Sequence, residues 1–422
     1  MNMQNKKVYQ SLWFWVLVFM FLGMLFGVLA PNYARNAKPI IDGFIAVIKI
    51  LVGPIIFLTV VSGIIGIGSL RQLGSIGLKA FIYFETISTI SLVVGLLFGY
   101  FFNPGSGMNL SVAQMDPLLI KNYVNHSSSD VNLVHILLNA IPHNIIDAFI
   151  QGNTLQILFI AIVTGFVIFF LGVKVQNYCL AKVKYLQHVM FKVLSYVMLF
   201  SPVAAFAAMS FMIGQFGIHV ILSMVTLVLT MIGACIFFIL VVLGVVAKIV
   251  GFKIIDFLKL IKDEIILVFA TSSSESALGP IMHKLTKNGV SDSVVGIVVP
   301  AGYSFNLDGT NIYLALVIAF LCNAFNIHLQ FEEYIMVILV LMATSKGAAG
   351  VSGSGFIVLA GTLSAMHGKI PVETICILLG IDKIMSELRS VTNLIGNSVA
   401  TVAVAKWDKQ LDMGKFLNVL KM

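Results

Sequence analysis

The sequence predicts an all-α polytopic membrane protein with eight transmembrane helices and two re-entrant helical hairpins, and three observations carry that prediction. Hydrophobic residues make up 59% of the 422 and charged residues only 10%, against about 25% charged in a soluble domain. Val193–Ala247 runs 55 residues without Asp, Glu, Lys or Arg. Two Ser/Gly-rich breaks, at 271–276 and 344–355, interrupt apolar segments in corresponding positions of two successive sequence units.

Leu12–Ala30 is an uninterrupted apolar run of 19 residues, long enough for a hydrocarbon core that takes roughly 20. It is too long for a signal peptide and has no small-residue cleavage site. Further spans fall at about 40–68 and 80–102. The polar stretch 103–133, rich in Gly, Ser and Asn, reads as an external loop, and Val134–Gln151 as an amphipathic segment lying along the interface. A span follows at 155–172. Val193–Ala247 is too long for one crossing, and Gly-Gln-Phe-Gly at 214–217 divides it in two; the last spans lie at 292–325 and 371–405.

Lys and Arg set the orientation. With the N-terminus in the cytoplasm and segments 255–290 and 331–368 each returning to the side they left, 17 of the 26 fall on the cytoplasmic side. Only Arg35, Lys38, Lys121 and Lys369 lie outside. This asymmetry supports both the orientation and the re-entrant reading. Trp13, Trp15 and Trp407 stand at segment ends as interface anchors. The net charge of +8 is thus a topological signal, not a nucleic-acid footprint. Cys179, Cys235, Cys322 and Cys376 are scattered without paired spacing and read as small core residues.

The first break, "TSSSES", sits between two apolar halves, neither of which spans alone. The second, "SKGAAGVSGSG", repeats the plan. In lipid, exposed backbone polar groups cost several kcal/mol each unless protein or a water-filled cavity satisfies them. Paired interruptions of this kind point to a transporter site, and half-helix N-termini with free amides seat an anion. Each broken segment precedes a span that is polar at its middle.

In "GIDKIMSELRSVTNLIGNSV" (380–399), a turn of 100° per residue gathers Asp382, Ser386, Arg389, Ser390, Asn393 and Asn397 within an arc of about 100°. Lys383 and Glu387 lie at the edge of that stripe, spaced to pair with each other. Arg389 costs about 2.5–3.5 kcal/mol at a helix centre. Either an ion pair with Asp382 or a substrate carboxylate offsets that cost; convergence with the paired breaks favours the carboxylate, which suits the guanidinium fork. In "PAGYSFNLDGTNIY" (300–313), Pro300, Gly302 and Gly309 loosen the helix. Asn306, Asp308 and Thr310 supply oxygens suited to a small hard cation; a buried protonated Asp308 is the plainer alternative.

At these residues the chain resembles the dicarboxylate/amino acid:cation symporter family, which includes the glutamate transporters. The resemblance rests on "TSSSES", "NLDGT", "SKGAAGVSGSG" and "RSVTNLIGN" in order, with "KILVGPIIFLTVVSGI" and "FNPGSGMN", and covers essentially the whole chain. Within the family the wording looks like that of the bacterial C4-dicarboxylate transport proteins. The resemblance implies a homotrimer in the bacterial cytoplasmic membrane with both termini cytoplasmic. It implies a scaffold (1–79 and 103–252), an elevator-like transport domain (80–102 and 253–406) and a cytoplasmic tail (407–422). It places Ser273, Ser274, Thr310, Gly350, Val351, Arg389, Ser390 and Asn393 at the substrate, beside the stripe residues Asp382 and Ser386. Gly302, Ser304, Asn306, Asp308, Ser345, Asn393 and Asn397 match cation-site positions, where Na⁺ would bind. No cofactor is expected, only a coupling ion, H⁺ or Na⁺.

Departures from the family pattern shape the expected cargo. Ser386 stands where amino-acid-transporting relatives have an Asp for the substrate ammonium, which argues for succinate, malate or fumarate over aspartate or glutamate. Asn397 replaces an Asp, and Ala348 a hydroxyl, of the sodium sites. Phe84 and Ile87 fall where relatives have Tyr and Thr ligands, with Ser88 kept; a one-residue shift would restore Ser88-Thr89. These changes point to fewer sodium ions or to proton coupling. Glu85 reads as a snorkelling boundary residue, with proton carriage as the alternative. The expected function is symport of C4-dicarboxylates, the alternative an acidic amino-acid symporter. Two rivals stand further off: an anion channel, and an intramembrane hydrolase using Ser273 or Ser274, for which His283 is the nearest His in sequence and no Gly-x-Ser-x-Gly elbow occurs.

Overall fold

The structure, a computed structural model, describes residues 12–66, 70–108, 110, 141–142, 144–150, 154–217, 219–327, 329–345, 354–365, 370, 374–375, 378 and 381–420. Residues 109 and 111–133 of the external loop expected at 103–133, half of the interfacial segment expected at 134–151, and residues 346–353 of the second break, with Ala348, Gly350 and Val351, lie outside the described residues.

Among the described residues the chain is helical, with one isolated antiparallel bridge between Val290 and Leu411. Its α-helices are α1 (Leu12–Leu29), α2 (Pro31–Ala34), α3 (Lys38–Gly66), α4 (Leu70–Phe102), α5 (Ile145–Ile150) and α6 (Thr154–Phe170). Next come α7 (Val173–Met198), α8 (Ser201–Phe216) and α9 (His219–Phe237), which runs through a π-helical turn at Phe238–Val242 into α10 (Leu243–Val250). The first broken segment forms α11 (Ile254–Leu260), α12 (Lys262–Thr271), a 3-10 turn at Ser274–Ala277 and α13 (Leu278–Lys287). Then follow α14 (Asp292–Phe305), α15 (Asp308–Ala324), the arms α16 (Phe331–Ser345) and α17 (Ser354–Ala365), α18 (Asp382–Trp407) and α19 (Met413–Leu420).

Helix ends differ from the sequence expectation where local chemistry decides them. Gly217, with φ +83°, ends α8 as expected. The segment before it is divided once more: Pro202 in the first turn of α8 cannot continue α7, and the two helices bend by 51°. α4 starts ten residues before the expected span, since charged side chains outside lipid do not stop a helix. By length and apolar composition, Pro31–Gly66, Ser75–Phe102, Val220–Val250 and Asp292–Ala324 could each cross a membrane, and α7 with α8 makes a fifth candidate. The amphipathic α18 falls outside that measure because its Arg, Asn, Ser and Thr stripe lowers the mean hydropathy.

α15 lies at the centre. Every residue from Asp308 to Cys322 is buried, so it has no outward face. α4 approaches it on small residues: a Cβ at Gly95 would stand 2.6 Å from the Ile312 oxygen, and one at Gly99 would overlap Ala319. Such residues let two backbones meet in lipid, where van der Waals packing holds helices together. α18, α9 and α16 cover the remaining sides.

At the Lys-rich end a polar clamp ties distant segments. Lys79 and Ser75 of α4 donate to Asp408 Oδ1 at 2.7 and 2.6 Å. Gln410 donates to Asp408 Oδ2 at 2.7 Å and accepts from Ser291 and Ser293 at 2.6 Å each. Phe416 of α19 packs on Phe252 and Phe257. The Lys79 and Ser75 hydrogen bonds hold the Asp408 carboxyl below its ordinary value of 3.8. A lowered folded value means the ionised form is favoured on folding, so this contribution is present at neutral pH and fades as pH falls through the acidic range. Asp408→Asn is expected to remove that dependence: wild-type and variant melting temperatures, separated at pH 7, should converge below about pH 4.

Candidate functional site

The break between α14 and α15 begins the site. Pro300 inside α14 removes one backbone donor, and residues 306–307 leave helical geometry, with φ −122° and ψ 65° at Asn306. Asn393 of α18 then caps α15. Its Oδ1 accepts from the Gly309 and Thr310 amides at 2.8 and 3.2 Å, and its Nδ2 donates to Thr310 Oγ1 at 3.1 Å. The close approach requires Gly309, where a Cβ would overlap the Arg389 carbonyl oxygen. Asn393 thus acts on Thr310: with its oxygen accepting, that hydroxyl keeps its own proton for a further acceptor.

Arg389 is 3% exposed. Its Nη2 lies 3.8 Å from Asp382 Oδ1, beyond hydrogen-bond length, and its guanidinium sits 4.3 Å above the Tyr313 ring. The Tyr313 hydroxyl faces the same Asp382 oxygen at 3.5 Å. Nη1 is buried and has no hydrogen-bond partner among the described residues. Gly355 of α17 abuts it so closely that a Cβ there would overlap Nη1. Asp382 therefore offsets part of the charge and leaves one edge of the fork unmet. The ion pair with Asp382 is present but loose, and a carboxylate at that distance does not replace a bidentate partner. Ser386 is buried on the same helix, one turn before Arg389.

The first hairpin docks on this helix by its tip. Ser272, in the left-handed region at φ +52°, accepts from Ser390 Oγ at 3.0 Å and directs its own hydroxyl at Glu387 Oε1, 3.5 Å away. The Ser390 proton is thereby committed to the hairpin backbone. Glu387 thus takes a contact from the hairpin tip across the bundle; the Lys383 side chain, its expected partner, lies outside the described residues. Ser274 is fully buried, with no hydrogen-bond partner for its Oγ among the described residues, whereas the Ser273 carbonyl accepts from Ser276 at 2.7 Å. Lys284 bonds Glu264 at 2.7 Å and the Leu260 carbonyl at 3.0 Å, joining the two arms at their base. Across the second broken segment, the hydroxyls of Thr344 and Thr362 join α16 to α17 at 2.8 Å. His283 is exposed on α13 while Ser274 is buried at the tip, so the structure does not bring the hydrolase pair together.

The expected cation residues fall into two groups. Asn306 Nδ2 donates to Asp308 Oδ2 at 3.1 Å, and Asn397 Nδ2 to the Val299 carbonyl at 2.9 Å. In both amides the nitrogen is used and the oxygen is buried without a hydrogen-bond partner among the described residues. Gly302 and Gly396 make room: a Cβ would overlap Asn397 Oδ1 at the first and Asp308 Oδ2 at the second. Ser345 and Ser304 stand apart. Ser345 bonds within its own helix, to Met342 O at 3.3 Å, and Ser304 is half-buried towards Gly63 of α3. Ser88 reaches the Phe305 carbonyl at 3.3 Å, while Phe84 and Ile87 are buried apolar neighbours. Sequence reasoning missed Tyr313, Ser272 and the role of Glu387; each acts across long sequence separations that no periodicity displays.

The sequence matches the family described as "Sodium:dicarboxylate symporter family" over residues 12–407. It is 43% identical over 416 residues to C4-dicarboxylate transport protein 1 of Ralstonia nicotianae, covering 99% of this chain and 96% of that one. Identity to the C4-dicarboxylate transport protein of Pseudomonas syringae pv. syringae is 44% over 416 residues, 99% and 92% of the two chains. For that of Erwinia tasmaniensis it is 44% over 419 residues, 99% and 97%. Matches of this extent, with a helical bundle built around a buried guanidinium, mark a membrane transporter and not an enzyme: the chain belongs to the sodium:dicarboxylate symporter family.

Proposed function

We propose that the protein imports C4-dicarboxylates such as succinate, malate and fumarate together with H⁺ or Na⁺. The observation that carries this reading is the unmet Nη1 of Arg389, buried beside a carboxylate too distant to neutralise it. One cargo carboxylate takes that edge of the fork. The donors left for the dianion are the Thr310 hydroxyl, freed by the Asn393 cap, and the Ser274 hydroxyl. Ser390 has no proton to offer, and Ser386 no charge with which to hold an ammonium. The names of the relatives point to the same cargo. Amide oxygens and Asp308 on the other side of the break seat the cation.

Residues 80–102 and 253–406 form the moving part in this reading and 1–79 and 103–252 the scaffold, in a homotrimer with eight spans and two re-entrant hairpins. The packing of α4, α16 and α18 about α15, and of α12 and α14 on α18, supports the grouping. Cargo on Arg389 removes the unmet charge that resists movement through lipid, and α16–α17 closes over it. Succinate uptake into proteoliposomes under separately imposed Na⁺ and H⁺ gradients tests the reading. Succinate should accumulate with one gradient, and malate and fumarate should compete. Transport of aspartate without competition by succinate would establish the amino-acid symporter instead, and current without stoichiometric flux an anion channel.

A further inference from the structure

Asn311 is 1% exposed and lies three residues after Asp308, so the two side chains share a face of α15. Its Nδ2 faces the Ser88 carbonyl of α4 at 3.5 Å. A carbonyl only accepts, so the nitrogen must be on that side and Oδ1 on the other. That Oδ1 is buried and has no hydrogen-bond partner among the described residues. Ser88 also bonds Phe305, the residue before Asn306, whose own amide oxygen is likewise unmet. From α4, the Tyr83 hydroxyl, fully buried and without a hydrogen-bond partner among the described residues, lies within electrostatic reach of Asp308.

We infer that Asn311 Oδ1 and the Tyr83 hydroxyl complete the coupling-cation seat around Asp308 and Asn306, at the junction of α4 and α15. Each amide there uses its nitrogen on a carbonyl or carboxylate and leaves only an oxygen. The Tyr83 hydroxyl, which can donate or accept, has a lone pair to add, so the site gathers oxygens around a carboxylate. An anion is repelled and a neutral apolar group leaves the oxygens unmet; a small hard cation satisfies both. Na⁺ and hydronium share this oxygen-seeking chemistry. The inference rests on the symport reading above and names two residues that the sequence did not mark.

The test uses proteoliposomes holding wild type, Asn311→Leu, Asn311→Asp or Tyr83→Phe. Succinate uptake is titrated with Na⁺ at fixed pH and, without Na⁺, with protons; cation-induced shifts in melting temperature are read without succinate. Asn311→Leu, close in size but lacking the oxygen, should raise the half-saturating concentration of the coupling cation by about tenfold or more. Succinate KM at saturating cation should change less than about twofold, and the cation-induced melting shift should shrink in step. Tyr83→Phe should act in the same direction, and Asn311→Asp should lower the half-saturating concentration. The arm that responds identifies Na⁺ or hydronium. Unchanged cation titrations in Asn311→Leu, or in Asn311→Asp should the Leu variant fail to fold, overturn the inference. Wild-type uptake that ignores both gradients overturns the symport reading instead.

Discussion

Succinate uptake by Arg389→Ala is expected to fall by about a hundredfold or more, the equivalent of roughly 3 kcal/mol of lost charge pairing in a buried site. The guanidinium Nη1, on the edge facing Gly355, is buried without a hydrogen-bond partner among the described residues. In the proposed reading, loss of the guanidinium removes the partner of the cargo carboxylate and leaves Asp382, 7% exposed, to repel it. Arg389→Lys separates charge from geometry. An ammonium keeps the positive charge but neither the fork nor the flat face on Tyr313, so it should recover only part of the rate. Initial rates and succinate-induced shifts in melting temperature check both variants. Normal affinity in Arg389→Ala would assign the guanidinium to Asp382 alone.

Gly355→Ala should have an effect of similar size through a single methyl group. The added Cβ would occupy the place of Arg389 Nη1, and helix backbone gives way less readily than a side chain. Either Arg389 withdraws from the cargo or α17 fails to seat, and succinate KM should rise by about tenfold or more. Gly279→Ala is the matched control. It lies in α13, nothing stands within 4 Å of its Cβ position, and alanine favours a helix, so uptake should be unchanged. Equal uptake by the two variants would mean that α17 does not bear on the Arg389 edge during transport.

What the sequence could show was whatever disturbed its apolar background. Arg389, Asp382 and the two Ser/Gly breaks stand out because lipid makes each costly, and α18 carries its polar stripe as the 100° periodicity requires. The donor inventory of the site could not be read that way. Ser390 and Thr310 look equivalent in sequence, yet one hydroxyl proton is bound by Ser272 and the other is released by Asn393. Tyr313 reads as one more aromatic in an apolar span until α18 brings Arg389 over its ring. Glu387 gains a contact of the same kind: tertiary approach brings Ser272 to it, which no local spacing displays. Proline's effect at residue 202 was legible in principle, but the apolar run around it hid the bend.

The complete enclosure of α15 bears on how the protein is made. A segment with no exterior cannot draw its tilt or rotation from lipid, so it takes both from neighbours, and one of them, α18, is synthesised after it. The Asn393 cap on Gly309 and Thr310 reaches back across more than eighty residues. During biogenesis the start of α15 must therefore wait for that later helix before its amides find their acceptor.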